Sequence, residues 1–145
     1  MIIGIGVDLV DIPRFERTLA RTPRLRERLF TTAERDLPLR SLAARYAAKE
    51  ALIKALGGSQ GVTWTEIEVA RLESREAPRF ELFGETAAAV SARGITSVHL
   101  SLSHDAGLAI AYVVAEGDSD ADAIHPATDD ADGHAHAARA GEDRG

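Results

Sequence analysis

Residues 41–56 place Leu42, Tyr46, Ile53 and Leu56 on one side of a helix and Ala44, Ala48, Ala51 and Ala55 on the other, at about 100° per residue. A helix that is apolar on both sides has to be packed over most of its circumference. The segment therefore predicts a central helix, closed by Gly57 and Gly58, with the remainder of the fold built around it. The whole chain of 145 residues is long enough for one such core and too short for two of ordinary size.

The flanking segments read as short strands and helices. Ile2, Ile3, Ile5, Val7, Leu9 and Val10 make a β-rich run, and Gly4 and Gly6 within it leave room for another backbone to come close. Pro13 suits the first turn of a helix carrying Phe15 and Leu19, and Thr22-Pro23 restarts it with Leu25 and Leu29 one turn apart. Thr31 and Glu34 have capping-box spacing for a further short helix ended by Pro38. Strands are expected at 65–72 and 79–83, a helix at 85–93, and strands at 97–103 and 108–115 joined as a hairpin through a turn at 104–107. This order indicates an α+β fold: a single domain, 1–115, with a mainly antiparallel sheet against the long helix.

Residues 116–145 are different in kind. They are built from Ala, Asp, Gly and His with Ile124 the only large aliphatic residue, and the expectation is an acidic, disordered tail. Nine acidic residues from Glu116 onward face only Arg139 and Arg144, so the tail carries −7 and the body +1 of the net charge of −6. His125, His134 and His136 on so mobile a stretch make a weak metal tract. The absence of cysteine excludes disulfides, thiolate metal sites and a cysteine nucleophile, and leans toward the cytoplasm. The apolar opening run is too short to span a bilayer and is broken by Asp8, so neither a membrane partner nor a targeting segment is expected.

Few residues stand out as carriers of chemistry. Gly4-Ile5-Gly6 lacks the third glycine of a dinucleotide fingerprint and is itself a strand. Asp8, near the end of an apolar strand, is either a solvated strand end or a ligand for a hard cation. Glu50 and Lys54 lie one turn apart at the boundary of the central helix's two faces; an ordinary surface pair has the same spacing, but a helix this apolar retains such charges more readily for a site. Ser101 to Asp105 spells the letters of a hydrolase triad, yet neighbours on an extended chain point to opposite faces and cannot relay a proton. His104 there is either a turn residue or a donor to phosphate. Arg14, Arg17, Arg21, Arg24 and Arg28 recur every three or four residues, which makes a solvated face or a dock for an acidic protein. Without interleaved aromatics, nucleic acid is not the expected partner.

Together these pieces resemble the holo-[acyl-carrier-protein] synthase family, the short type of 4′-phosphopantetheinyl transferase. The similarity is carried by 4–8 (GIGVD), Arg14, 45–57 (RYAAKEALIKALG) and 101–104 (SLSH), in family order over residues 1 to about 115. Tyr46 stands where the family usually has phenylalanine, a change expected to matter little; the tail has no counterpart. The resemblance implies transfer of the phosphopantetheine arm of coenzyme A to a serine of apo acyl carrier protein, releasing 3′,5′-ADP. It further implies Mg²⁺ held by Asp8 and Glu50, with Glu50 or a water it orients taking the serine proton and Lys54 on the leaving phosphate. Arg45 and His104 are implied at coenzyme A phosphates, Arg14 and Arg21 at the carrier protein and outside the metal-phosphate site, and the assembly as a homotrimer with sites between protomers. Two other readings use the same residues: another Mg²⁺-dependent phosphate-chemistry enzyme such as a nucleotide diphosphate hydrolase, and a non-catalytic module that binds carrier protein.

Overall fold

The computed structural model describes residues 1–70 and 76–118. One strand and two helices precede a central 17-residue helix, and four strands and one helix follow it: β1 (Ile2–Asp11), α1 (Ile12–Arg21), α2 (Leu25–Leu29), α3 (Leu39–Ala55), a 3₁₀ turn (Trp64–Glu66), β2 (Ile67–Val69), β3 (Phe80–Leu82), α4 (Gly84–Ala92), β4 (Ile95–Asp105) and β5 (Leu108–Gly117). The strands β1, β5 and β4 form an antiparallel sheet in that order, and β2 with β3 a separate antiparallel pair. The α+β architecture is as expected.

The central helix lies across one face of the three-stranded sheet. Leu42, Ala43, Ala47, Ala48, Ala51 and Leu52 are fully buried, and the glycine strand meets the alanine stripe directly. A Cβ built on Gly6 would sit 1.8 Å from the Ala51 carbonyl oxygen, and one on Gly4 1.9 Å from that of Ala55, so only glycine admits this approach. The outcome is that Asp8, two residues beyond Gly6, is held against the polar edge of α3.

Alternation along the strands sorts the sheet's two faces. Ala109, Ala111, Val113 and Ala115 point inward to α3. The outer face carries Ile5, Val7 and Leu9 of β1 beside Ile110 and Tyr112 of β5, all more than a third exposed, with Leu9 at 55%.

Local expectations differ from the structure in four places. Residues 31–37 form turns rather than a helix, and Pro38 opens α3 instead of ending a preceding one. Half of the capping box does form, since the Thr31 amide donates to the Glu34 carboxylate at 3.0 Å. The Thr31 hydroxyl, however, donates to Glu68 at 2.7 Å, and Glu34 is drawn into the core by Lys49 at 2.6 Å and the Val69 amide at 2.9 Å. Tertiary partners outbid the local helix. The strand expected at 65–72 is shortened to Ile67–Val69 by the 3₁₀ turn, with Arg71 and Leu72 outside the described residues. The hairpin turn is tighter than expected: Asp105 pairs with Leu108, and only Ala106 (φ 47°) and Gly107 (φ 77°) lie between, both in the left-handed conformation of a two-residue turn that matches strand twist. Finally, β5 continues two residues past the expected boundary at 115, for Glu116 pairs with Ile2 and the Gly117 amide donates to the Met1 carbonyl at 3.0 Å. The tail from 119 to 145, with its three histidines, lies outside the described residues.

Candidate active site

Three elements build a cleft of about 530 Å³: the end of β1, helix α1 and the middle of α3, with Trp64 closing one side. Asp8 reaches it from an inward-facing position of β1, and Glu50 from α3. Each is only partly exposed, and the two carboxylates feel one another. Burial first, and the Asp8 charge second, push the Glu50 carboxyl above its ordinary value, against the opposing pull of Lys54 and a hydrogen bond from Tyr46. Two carboxylates held close enough to repel in a partly desolvated cleft are a standing demand for a cation.

Lys54 answers part of that demand. Its ammonium donates to the Asp8 carboxylate and to the Val7 carbonyl, each at 2.9 Å, while the side chain remains about half exposed. Such a lysine is a counter-charge to Asp8 that remains open to solvent on its other side. Among the described residues no cluster of three or more His, Cys, Asp or Glu side chains gathers. The donor set of two carboxylates therefore does not suit an all-protein cage; it does suit Mg²⁺, which takes one or two carboxylates and completes its shell with substrate phosphate and water.

Arg14 lines this same cleft. Its amide is fixed by the Asp11 carboxylate, which caps α1 at 2.8 Å, so the expectation that Arg14 stands outside the metal-phosphate site is corrected: the helix cap swings the first turn of α1 over the end of β1. Arg21, at the far end of α1, is exposed and continues the side of the helix marked by Arg14 and Thr18. The row does not run on in phase, because Arg24 adopts a left-handed conformation (φ 61°) between α1 and α2.

Arg45 and His104 are not brought to the cleft within one chain. Arg45 points to the opposite side of α3, where it donates to the Ser41 carbonyl at 3.3 Å and lies 3.9 Å from Glu34; it lines a separate hollow with Leu37, Val69 and Leu102. His104 is an inward-facing strand residue rather than part of the turn, and it lines a third hollow of about 610 Å³ beside Pro38, Leu39 and Arg40. Its Nε2 is buried without a hydrogen-bond partner among the described residues.

Other contributors escaped the sequence reading. Lys49, fully buried, donates to the Leu29 carbonyl at 2.8 Å, the Trp64 carbonyl at 3.2 Å and Glu34, and so braces two walls of the cleft. Burial lowers its pKa against the pull of Glu34. A buried lysine one residue from Glu50 looks like one more helix-surface charge; nothing local in the sequence separates it from Lys54.

A cleft with a carboxylate pair, a lysine bound to one of them and an arginine in its wall, on this fold, can be compared with known proteins. The 4′-phosphopantetheinyl transferase superfamily matches residues 4–113. The chain belongs to the holo-[acyl-carrier-protein] synthase family of 4′-phosphopantetheinyl transferases. A holo-[acyl-carrier-protein] synthase of Clavibacter michiganensis subsp. michiganensis is 60% identical to it over 119 residues, covering 82% of this chain and 99% of the relative. The holo-[acyl-carrier-protein] synthase of Neisseria meningitidis superimposes with a TM-score of 0.73 at 31% identity, over 80% of this chain and 99% of that one. The Helicobacter pylori enzyme of the same name, solved in complex with coenzyme A, does so with a TM-score of 0.66 at 33% identity, over 77% and 99%. This chain is thus an enzyme of the synthase family.

Proposed function

We propose that the protein transfers the 4′-phosphopantetheine arm of coenzyme A to a serine hydroxyl of an apo acyl carrier protein, releasing 3′,5′-ADP, with Mg²⁺ held between Asp8 and Glu50. The observation that carries the reading is the mutually repelling pair Asp8 and Glu50 at the polar end of the cleft, in a chain whose structural neighbours include a synthase with coenzyme A bound.

The serine oxygen forms a bond to the phosphorus that bears pantetheine, and the bond from that phosphorus to the bridging oxygen breaks. The serine proton passes to Glu50 or to a water it orients; a carboxyl lifted above its ordinary value by burial is better matched to that task than a solvated one. Lys54 leaves Asp8 for the developing charge on the departing phosphate, where a mobile ammonium acts as a point charge. Asp8 and Glu50 would hold Mg²⁺, which when bound would supply charge neutralisation on the diphosphate.

His104 and Arg45 contact coenzyme A phosphates in this reading, and because they stand in hollows apart from Asp8, the full site needs more than one protomer. The apolar outer face of the sheet supports a homotrimer, since a contiguous exposed patch of this kind marks an interface. Arg14 and Arg21 face the acidic carrier in this reading, Arg14 from inside the cleft and Arg21 from the exposed last turn of α1. No helix among the described residues is long and apolar enough to cross a membrane, and the cytoplasm, where coenzyme A and carrier proteins meet, is the proposed location.

The test is direct. Incubated with coenzyme A, Mg²⁺ and an apo carrier protein, the enzyme should place the arm on the carrier as read by mass spectrometry. Asp8→Asn and Glu50→Gln should each lower the rate on the order of 10²-fold or more with the melting temperature preserved. Near-normal turnover of either folded variant rejects the carboxylate assignment.

A further inference from the structure

We propose that the acidic residues 119–145 of this chain lie on its own basic face, the arginines of α1 and α2, and compete there with the acidic carrier protein. The inference rests on the reading of that face as the carrier dock, and it adds a regulator carried by the same chain.

The face has charge without counter-charge. From Pro13 to Phe30 the sequence sets six arginines against Glu16 and Glu27. Arg14, Arg17, Arg21, Arg24 and Arg28 are all exposed, and none of them forms a salt bridge among the described residues. Asp11, the nearest carboxylate upstream, is occupied in capping the Arg14 amide at 2.8 Å. Cations three and four positions apart on a helix repel one another when nothing lies between them. Such a face is stabilised by any anion brought to it, and most readily by one that need not be recruited from solution.

The chain itself supplies that anion. Asp120, Asp122, Asp129, Asp130 and Asp132 come before any lysine or arginine in 119–145, and Ile124 is the one large aliphatic side chain there, so charge is what the segment offers a partner. It is also an addition to the synthase domain, since a relative is matched over 99% of its length by 82% of this chain, and the family's match lies within 4–113.

Reach permits the contact. The segment leaves from a fixed point, because the Gly117 amide donates to the Met1 carbonyl at 3.0 Å and the Gly117 carbonyl accepts from the Met1 ammonium at 2.8 Å. From there to the start of α1 is the length of β5, whose other end, Leu108, pairs with Asp11; that is about 30 Å. As a coil, residues 119–145 would span on the order of 30 Å as well. A tether whose span matches its target gives an effective concentration on the order of 1 mM. A contact too weak to hold two separate molecules together thus competes with a carrier protein at micromolar concentration, and it is weakened by salt.

The experiment keeps the full chain. One variant carries Asp120→Asn, Asp122→Asn, Asp129→Asn, Asp130→Asn and Asp132→Asn, which removes charge at constant length. In another, Ala131→Cys provides a single site for a nitroxide, because the chain has no cysteine. At low salt the nitroxide should broaden the amide signals of residues 14–28 above all others, and the broadening should fade with added salt and with the five Asn substitutions. Those substitutions should lower the KM for carrier protein about two- to fivefold at low salt, with kcat and the KM for coenzyme A unchanged, and the difference from wild type should shrink as salt rises. Broadening that is absent or falls elsewhere overturns the contact; broadening of 14–28 with an unchanged carrier KM overturns the competition. Arg17→Glu together with Arg21→Glu, placed in the five-Asn background, separates this from the docking reading. If the pair leaves the carrier KM unaltered, the dock lies elsewhere and the competition falls with it. If the pair raises the KM while the five Asn substitutions alone do nothing, the dock stands and the tail is rejected as its competitor.

Discussion

Lys54 illustrates how a single side chain serves two states of one site. At 2.9 Å from the partly buried Asp8 carboxylate it supplies a counter-charge on the side of the site that also holds Glu50. In the proposed reaction its value would lie in charge that develops only as the phosphate departs, since only an interaction stronger in the transition state than in the ground state raises turnover. Lys54→Met should therefore lower kcat on the order of 10²-fold while the KM for coenzyme A changes far less, as read by steady-state kinetics. A change confined to KM would remove Lys54 from the chemical step. At this scale the sequence was informative about Glu50 and Lys54, whose spacing on an apolar helix is itself the signal. It was silent on Tyr46 and Lys49, because whether a polar side chain points into a core or to water depends on what packs over it.

Among elements, α4 shows long-range capping in place of local capping. Phe83 precedes the helix and offers no side-chain acceptor. The cap comes instead from Glu66, whose carboxylate accepts from the Thr86 hydroxyl and amide, each at 2.8 Å. It lies so close beneath Gly84 (φ +53°) that a Cβ there would meet its Oε1 at 2.2 Å. These bonds favour the charged form and hold the Glu66 carboxyl below its ordinary 4.5, the Thr86 hydroxyl contributing most. The unfolded chain therefore binds the proton first as pH drops. The stability from this cap is present above the ordinary carboxylate value and disappears as pH falls through the lower folded one. Thermal melts between pH 6 and pH 3 should show a steeper acid loss for the wild type than for Glu66→Gln; parallel curves would mean that the cap is not charged. The buried Glu34–Lys49 pair makes a second element-scale prediction. Lys49→Met leaves Glu34 buried without its main counter-charge and should cost about 3–5 kcal/mol in denaturant melts, where a change under about 1 kcal/mol would place the pair in water.

For the whole molecule the outer face of the sheet is the feature to explain. Ile5, Val7 and Leu9 stand beside Ile110 and Tyr112 with no element of this chain over them among those described, while β4 contributes the polar His99, Ser101 and Ser103 alongside. A cyclic assembly uses a patch of this kind against an identical protomer. If this face closes the proposed trimer, the wild type should have a trimer's mass in light scattering and Tyr112→Glu a monomer's, with transfer reduced most at low enzyme concentration; a mass unchanged by the substitution would reject this face as the interface. Carrier docking is tested at the same scale. Arg21→Glu should raise the KM for carrier protein with little effect on coenzyme A, and the wild-type rate should fall with salt, because charges beyond about 8–10 Å are screened at physiological strength. An unaltered carrier KM would make Arg21 a solvated residue.

The alanine and apolar faces of α3, the glycines opposite them and the alternation of the strands were legible in the sequence because each is a periodic pattern that one element must satisfy by itself. Those patterns already specify a helix packed all round against an antiparallel sheet, and with the residues around Glu50 they identify the family. Tertiary structure alone decided that Glu34 joins its bond from the Thr31 amide to a buried Lys49, that Arg14 enters the cleft, and that Tyr46 is stacked between Phe15 and Trp64. Each of these joins residues from different elements. Their energies come from desolvation and from charges brought together by packing, quantities that exist only once the chain has folded.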